Sequence, residues 1–143
     1  MPDQDQFRRG RHVVSKLNAH LVFVTKYRRA CITEAVWASL VCGFKGTAAK
    51  LNVQILELNH GGDHVHLLIE YPPQRPVSEI VNALKGVSSR IVRRDCWALI
   101  RHALWGEHFW SPSYFVASCG GAPLQLIQQY VESQRNLKPS TPP

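Results

Sequence analysis

The sequence predicts an α+β fold of the split βαβ type, in which a four-stranded antiparallel sheet carries two helices on one face and a third helix follows. Three observations support this prediction. Segments that alternate apolar and polar residues are interleaved with segments of helical periodicity, in the order β-α-β-β-α-β-α. The two middle strands are joined by Gly61-Gly62-Asp63, a turn typical of a hairpin. The chain has 143 residues and 45% hydrophobic content, which is enough for one core.

The first part of the chain predicts a strand and a helix. Residues 1–16 are polar and basic, and we expect them to be flexible. Residues 19–27 (AHLVFVTKY) are rich in β-branched and aromatic side chains and predict the first strand, which ends in a basic turn. Thr33 suits a helix N-cap, and we expect this helix to reach about Leu51 because apolar residues recur at helical spacing.

The middle of the chain predicts a hairpin and a basic helix. Residues 52–59 and 64–71 alternate as the two strands of the hairpin, and Pro72-Pro73 ends the second strand. An amphipathic helix follows, because apolar residues recur at helical spacing. Its apolar positions are Val77, Ile80, Val81, Leu84, Val87 and Ile91.

The last part of the chain predicts a strand and a terminal helix. Residues 97–110 fit a short helix and loop, and residues 113–118 (SYFVAS) predict the fourth strand. Gly120-Gly121 interrupts the chain before a helix that begins near Pro123. Residues 138–143 contain three prolines, and we expect this segment to be flexible. Together the elements predict one ferredoxin-like sandwich domain over residues 1–143, with the last helix as an addition.

Composition favours a polyanionic partner. The chain has 17 Lys and Arg against 10 Asp and Glu, a formal net charge of +7 and a pI of about 9.6. Lys and Arg side chains that neutralise phosphates release counterions, which favours binding, so nucleic acid is the leading candidate partner. Many basic domains, however, are simply soluble proteins with no such partner. The four cysteines show no CxxC spacing and predict reduced thiols rather than a zinc ribbon. No signal core or membrane-length apolar run occurs, so we expect a cytoplasmic protein without a membrane partner.

His64-Val65-His66 is the most informative motif in the sequence. Two histidines two residues apart on a strand point to the same face, where their imidazoles could bind one metal ion. Imidazole nitrogen is a good ligand for Mn, Fe or Zn. The same pair also fits a polar strand face with no metal, so the motif by itself leaves both interpretations open.

The predicted last helix carries a candidate nucleophile. Tyr130 lies one helical turn before Gln134, whose amide oxygen would add a neutral ligand to the two imidazoles and leave the ion its full charge. A phenolic oxygen near such an ion could attack a phosphodiester and form a covalent link. A tyrosine on an amphipathic helix also fits ordinary packing. The combination with the histidine pair, in a basic chain without a phosphate-binding P-loop, favours a nuclease that uses a tyrosine.

Five segments together resemble the single-tyrosine HUH transposases of IS200-like insertion sequences, over residues 18–137. They are residues 25–29 (TKYRR), 63–68 (DHVHLL), 82–86 (NALKG), 109–114 (FWSPSY) and 129–134 (QYVESQ). The resemblance implies a single HUH transposase domain that cleaves and rejoins single-stranded DNA. It implies that His64, His66 and Gln134 bind a divalent ion, Mg or Mn, and that Tyr130 forms a 5′-phosphotyrosine. Asp63 fits either the orientation of a ligand histidine or the shaping of the turn, and the turn is favoured.

The resemblance also implies partners. Members of this family are homodimers in which the tyrosine helix of one subunit completes the histidine pair of the other, and they bind DNA hairpins near the element ends. Gly120-Gly121 lies where a flexible connection to that helix would be needed, although an ordinary turn before a helix explains the pair equally well.

Basic side chains in two segments are candidates for phosphate contacts, and a solvated charged surface is the alternative for each. The candidates are Lys26, Arg28, Arg29, Lys85, Arg90, Arg93 and Arg94, with Tyr27 or Phe109 for base stacking. Two rival functions remain open: the same chemistry in replication initiation or host-repeat mobilisation, and a non-catalytic or domesticated ferredoxin-like nucleic-acid-binding protein. The sequence contains no RNP-like run of aromatic residues that would support the second function.

Overall fold

The computed structural model describes residues 7–102, 108–118 and 130–133 of the chain. The elements are strands β1 (Arg8–Arg9), β2 (Val14–Ser15) and β3 (Asn18–Val24), helix α1 (Glu34–Leu51), strands β4 (Gln54–His60) and β5 (His64–Glu70), helix α2 (Val77–Ile100) and strand β6 (Phe115–Ser118). Residues 130–133 are also helical. None of the helices in these ranges has the length and hydropathy needed to cross a membrane.

The central sheet has four antiparallel strands in the order β4-β5-β3-β6. The first and third strands of the sheet in chain order lie at its centre, and the second and fourth form its edges. This is the strand order of the split βαβ sandwich, so the predicted fold class is confirmed. Because side chains alternate along each strand, the register of β3 against β5 decides which residues share a face. That register places Val22 opposite His66 and Val24 opposite His64.

One face of the sheet carries the main hydrophobic core. Leu21 and Phe23 of β3 and Val65, Leu67 and Ile69 of β5 are fully buried against α1 and α2. Leu40 and Phe44 contribute from α1, and Ile80 and Leu84 contribute from α2. Both helices therefore lie on the same face, as the sequence predicts.

The opposite face bears the histidines. Val22 and Val24 point to this face and are fully buried in a second, smaller cluster with Val131. Phe115 and Tyr130 pack against that cluster. The 130–133 segment thus covers the face of the sheet that α1 and α2 leave open.

Several predicted boundaries differ in the structure. The strand predicted at residues 52–59 is observed at Gln54–His60, because Asn52 caps α1 in a left-handed conformation, and the strand predicted at residues 64–71 ends at Glu70. β3 ends at Val24 rather than at Tyr27, because after an isolated bridge from Thr25 to Trp110 the chain makes a 3-10 turn over Lys26–Arg28. α2 runs to Ile100, since Val92, Cys96 and Ile100 extend its apolar stripe onto the core. The sixth strand begins at Phe115 rather than at residue 113. The N-cap at Thr33 is confirmed, because its side chain accepts a hydrogen bond from the Val36 N–H.

The N-terminal region holds a short hairpin where the sequence predicts a flexible segment. β1 and β2 pair antiparallel, and the Arg8 guanidinium donates to both carboxylate oxygens of Glu70, at 2.7 and 2.6 Å. Glu70 is 7% exposed and lies on β5, so this bidentate ion pair anchors the hairpin to the sheet. The contact joins residues 62 positions apart, which local sequence patterns do not reveal. Residues 1–6 and 138–143 lie outside the described residues.

Candidate active site

The two histidines of the HUH-like motif lie side by side on β5, with Val65 between them pointing into the core. Both imidazoles are half-buried on the sheet face that carries Val22 and Val24. The motif begins at the first residue of the strand, directly after the Gly61-Gly62-Asp63 turn. The position is therefore at the end of a central strand, where the sheet backbone holds the rings but one side remains open to solvent.

Asp63 holds the ring of His64. Its Oδ1 is 2.7 Å from His64 Nδ1, and its Oδ2 accepts a hydrogen bond from Arg28 Nε at 2.5 Å. Burial alone would raise the pKa of the Asp63 carboxyl, but the hydrogen bonds and charges of His64 and Arg28 outweigh it, so the pKa is lowered. Asp63 is therefore an ionised carboxylate that orients a candidate ligand, while its backbone carbonyl accepts from Thr25 N at 2.9 Å. Asp63 thus contacts both the His64 ring, as an orienting residue would, and the backbone of the neighbouring turn, as a turn-shaping residue would.

A third histidine, His20 of β3, lies against His66. His20 Nδ1 is 3.0 Å from His66 Nε2, and the two rings stack with centroids 5.2 Å apart and planes 13° apart. Burial is the main cause that lowers the pKa of His66, and the electrostatic interaction with His20 acts in the same direction, which favours a neutral His66 imidazole. Sequence reasoning missed His20. Its signal is the alternation of β3, which puts it in phase with Val22 and Val24, but only the pairing with β5 brings it to His66.

Tyr130 lies over the same face of the sheet. Its ring packs against the Val22, Val24 and Val131 cluster and against Phe115, with ring centroids 5.5 Å apart. Its hydroxyl is 3.0 Å from Ser113 Oγ, in the segment that leads into β6. Burial raises the pKa of the Tyr130 phenol, and the hydrogen bond with Ser113 offsets only part of that rise. The phenol is therefore protonated at neutral pH.

An ion pair links the tyrosine segment to the basic turn. Arg28 Nη1 lies 3.5 Å from Glu132 Oε2, and the same guanidinium binds Asp63. Tyr27 and Arg28 adopt positive φ angles of 57° and 58°, which are rare for residues other than glycine. The turn is held by Thr25, whose hydroxyl donates to Arg29 O at 2.7 Å. Arg28 thus connects the histidine motif with the helical segment that bears the tyrosine.

Each imidazole has one ring nitrogen in a hydrogen-bond contact, and its second nitrogen suits a divalent cation in the tautomer that leaves a lone pair there. Within residues 7–102, 108–118 and 130–133, however, no three His, Cys, Asp or Glu side chains are arranged around a common metal position. The two histidines would need a further ligand. The predicted one, Gln134, lies outside the described residues, as does Gly120-Gly121.

Comparison with known proteins identifies the family. The family model described as "Transposase IS200 like" matches residues 13–134, which is most of the chain. The chain belongs to the IS200-like transposase family. This transposase is 31% identical over 131 residues to the ISDra2 transposase TnpA of Deinococcus radiodurans, covering 92% of this chain and 93% of that one. It is 33% identical over 121 residues to the transposase for insertion sequence element IS200 of Salmonella typhimurium, covering 80% of this chain and 74% of that one.

Solved structures agree with this assignment. A Deinococcus radiodurans R1 protein described as a transposase superposes on this transposase with a TM-score of 0.79 and 33% identity, covering 89% of this chain and 97% of that one. A REP-associated tyrosine transposase bound to a REP hairpin gives a TM-score of 0.56 at 11% identity, covering 87% of this chain and 68% of that one. The second likeness is one of fold alone.

The predicted phosphate contacts of the transposase fall into two groups. Lys26, Arg28 and Arg29 lie in the turn beside Asp63, with Lys26 Nζ 5.4 Å from the centroid of the Tyr27 ring. The others are on α2: Arg90 and Arg94 are exposed, Arg93 is half-buried, and Arg94 Nε pairs with Asp95 at 2.7 Å. α2 packs on the face opposite the histidines, so only the turn group adjoins the candidate site. The phosphate contacts remain predictions.

Lys85 and Phe109 have structural contacts. Lys85 Nζ donates to Ser111 O at 2.7 Å and to Ser113 O at 3.2 Å, and burial lowers the pKa of its ammonium. It thereby braces the segment whose Ser113 hydroxyl contacts Tyr130. Phe109 is 1% exposed and packs edge-on against Trp110, so the suggestion that its ring stacks on a base is wrong for this arrangement. Tyr27 is half-buried and remains the candidate for stacking.

Gly61 allows the His64 ring to occupy its position. A Cβ at Gly61 would lie 2.6 Å from His64 Cε1 and 3.0 Å from His64 Nδ1, whereas a Cβ at Gly62 would meet nothing closer than 3.7 Å. We expect Gly61→Ala to push the His64 ring away from Asp63 and to lower DNA cleavage about 10- to 100-fold, since small misplacements of reacting groups are costly.

The matched control is Gly62→Ala in the same turn, for which we expect cleavage within about twofold of wild type. Initial rates on a labelled single-stranded substrate measure both variants, and urea denaturation verifies that both are folded. Equal rates for the two variants would contradict the role given to Gly61.

Proposed function

We propose that this transposase cleaves and rejoins single-stranded DNA at the ends of an insertion sequence through a covalent 5′-phosphotyrosine on Tyr130. His64, His66 and Gln134 would hold a divalent ion, Mg or Mn. The observation that carries the proposal is that Tyr130 packs against Val22 and Val24, the register partners of His66 and His64. A phenol and two imidazoles therefore share one face of the sheet, beside an arginine-rich turn.

The chemistry follows from the groups at this face. The Tyr130 oxygen attacks phosphorus, the bond from phosphorus to the 3′ oxygen breaks, and that oxygen takes a proton to give a 3′-hydroxyl. A bound divalent ion would polarise the phosphodiester and stabilise the charge that gathers on its oxygens, worth several kcal/mol. The covalent link conserves the energy of the phosphodiester, so attack by a 3′-hydroxyl reverses the step and joins new ends without a nucleotide cofactor.

The phenol must lose its proton during attack. A phenol of pKa about 10 is about one part in a thousand ionised at neutral pH, which corresponds to about 4 kcal/mol. Burial makes this ionisation harder for Tyr130, and Ser113 is its hydrogen-bond partner. A serine hydroxyl is too weak a base to keep the proton, so the contact with Ser113 suits the resting phenol. The attacking phenol needs a different proton acceptor.

The partners follow from the same reasoning. We propose DNA hairpins near the element ends as ligands, by analogy with the REP-associated transposase that is bound to a REP hairpin. We also propose a cytoplasmic homodimer with two composite sites, in which the tyrosine helix of each subunit serves the histidines of the other. In the single chain, Glu132 pairs with Arg28 and Tyr130 bonds Ser113, so exchange of the helix between subunits would require both contacts to break and re-form.

A covalent-adduct assay tests the proposal. The purified chain is incubated with single-stranded DNA from the ends of its own element, labelled on either side of the cleavage position, with Mn²⁺ or Mg²⁺. We expect a protein-linked product on a denaturing gel, a free 3′-hydroxyl on the other fragment, and loss of both in EDTA. Hairpin binding without any adduct, and unaffected by EDTA, would instead identify a non-catalytic DNA-binding protein.

A further inference from the structure

The contact between His20 and His66 restricts the nitrogen that His66 can offer to a metal. His20 Nδ1 lies 3.0 Å from His66 Nε2, and the stacked rings leave no room for a cation between them. Two imidazole nitrogens at this distance share one proton. Either His66 donates from Nε2 and keeps a lone pair on Nδ1, or His20 donates and the proton of neutral His66 is on Nδ1. The second arrangement leaves His66 no free lone pair.

His64 also has one ring nitrogen in a hydrogen-bond contact, but here it is Nδ1, whereas in His66 it is Nε2. Asp63 Oδ1 lies 2.7 Å from His64 Nδ1, and an ionised carboxylate only accepts, so His64 carries its proton on Nδ1 and has a lone pair on Nε2. In metal sites the second ring nitrogen of a ligand histidine is commonly held in this way, because the contact fixes both the tautomer and the ring orientation. His64 therefore has its orienting partner in Asp63, in the turn that precedes β5.

We infer that His20 is the positioning residue for His66: its Nδ1 accepts the Nε2–H of His66 and leaves the His66 Nδ1 lone pair for the cation. The inference rests on the proposed function, since it assigns the atoms of the proposed metal site. The two open nitrogens are then His64 Nε2 and His66 Nδ1. His20 suits the role because β3 is a central strand paired on both sides, so its side chain is anchored by the sheet.

Two substitutions separate the hydrogen bond from the bulk of the ring. His20→Asn retains an acceptor near the position of Nδ1, and His20→Leu removes it while filling a similar space. We expect His20→Leu to weaken Mn²⁺ binding about 10- to 100-fold, as loss of such partners usually does, and His20→Asn to recover most of the affinity. His12→Leu is the matched control, because His12 is exposed in the N-terminal region. It should bind Mn²⁺ as wild type does.

The experiment combines two measurements on the full chain. Long-range ¹H–¹⁵N spectra of histidine-labelled, metal-free protein report the tautomer of His66, and Mn²⁺ titration followed by electron paramagnetic resonance reports affinity. The expected result is His66 protonated on Nε2, with the affinity order wild type, His20→Asn, His20→Leu. His66 protonated on Nδ1, or unchanged affinity in His20→Leu, would overturn the inference while wild-type Mn²⁺ binding still supports the proposed function. Wild-type protein that binds no Mn²⁺ would overturn the proposed metal site and, with it, the role of His20.

Discussion

Replacing Tyr130 with phenylalanine abolishes the covalent protein–DNA adduct and lowers strand cleavage by at least about 10⁴-fold, as expected when a nucleophile is removed. The reason is local. The phenol oxygen is the only atom lost, and its one described partner is the Ser113 hydroxyl. The aromatic ring keeps its packing against Phe115 and the Val22 and Val24 cluster. The variant should therefore fold and bind DNA normally, so the loss would lie in the chemical step.

The matched control for this substitution is Tyr71→Phe. Tyr71 follows β5 and packs against the main core, on the other side of the sheet from Tyr130. The Tyr71→Phe variant should cleave DNA at the wild-type rate. Adduct yield on denaturing gels, with binding of the same hairpin measured separately, distinguishes a lost nucleophile from a lost substrate. If Tyr130→Phe still forms an adduct, another residue is the nucleophile and the proposed mechanism is wrong.

The second large effect is expected at the histidine pair. His64→Ala and His66→Ala should each lower cleavage about 10³-fold, equivalent to about 4 kcal/mol of lost charge stabilisation at the phosphodiester. Hairpin binding should change little, because the basic turn that carries the candidate phosphate contacts is untouched. Both side chains are half-buried on the sheet face opposite the main core, so alanine leaves no cavity in that core.

His12→Ala controls for the removal of a histidine, since His12 is exposed and has no place in the site. Cleavage rates at several Mn²⁺ concentrations provide the measurement. A metal-ligand role predicts that the rate of each variant rises at Mn²⁺ concentrations that already saturate wild type. Wild-type rates in both variants, or a loss of hairpin binding as large as the loss of cleavage, would show that the pair does not bind the catalytic ion.

Local patterns were sufficient for most of the fold. The period of two in residues 52–59 and 64–71 and the helical spacing in α1 each describe one element, and each element has the predicted type. Local patterns were insufficient at the ends of elements, because contacts between residues distant in the chain determine where a strand or helix stops. β3 stops at Val24 because the chain turns over Lys26–Arg28, where hydrogen bonds from Thr25 N to Asp63 O and from Lys26 N to Phe109 O hold it. The N-terminal hairpin is fixed to the sheet by the ion pair between Arg8 and Glu70.

The candidate site divides in the same way. The histidine pair was visible because both residues lie on one strand, at a spacing that has meaning by itself. Three other residues were not visible in the sequence, because each matters only through a residue distant from it or not adjacent in the chain. His20 contacts His66, Ser113 contacts Tyr130, and Gly61 leaves space for the His64 ring. Lys85 illustrates the reverse case. A basic residue on an amphipathic helix suggests a phosphate contact, but its ammonium binds the Ser111 and Ser113 carbonyls.

The amino-acid sequence by itself determined the order of the elements, the pairing of His64 with His66 on one strand face and the presence of a tyrosine near the C-terminus. These depend on spacing along the chain, and backbone geometry converts spacing directly into direction. Only the tertiary structure decided which sheet face the tyrosine covers and which side chains hold the imidazoles. Those facts depend on strand register and helix packing, where burial of apolar side chains selects one arrangement from many that local periodicity allows.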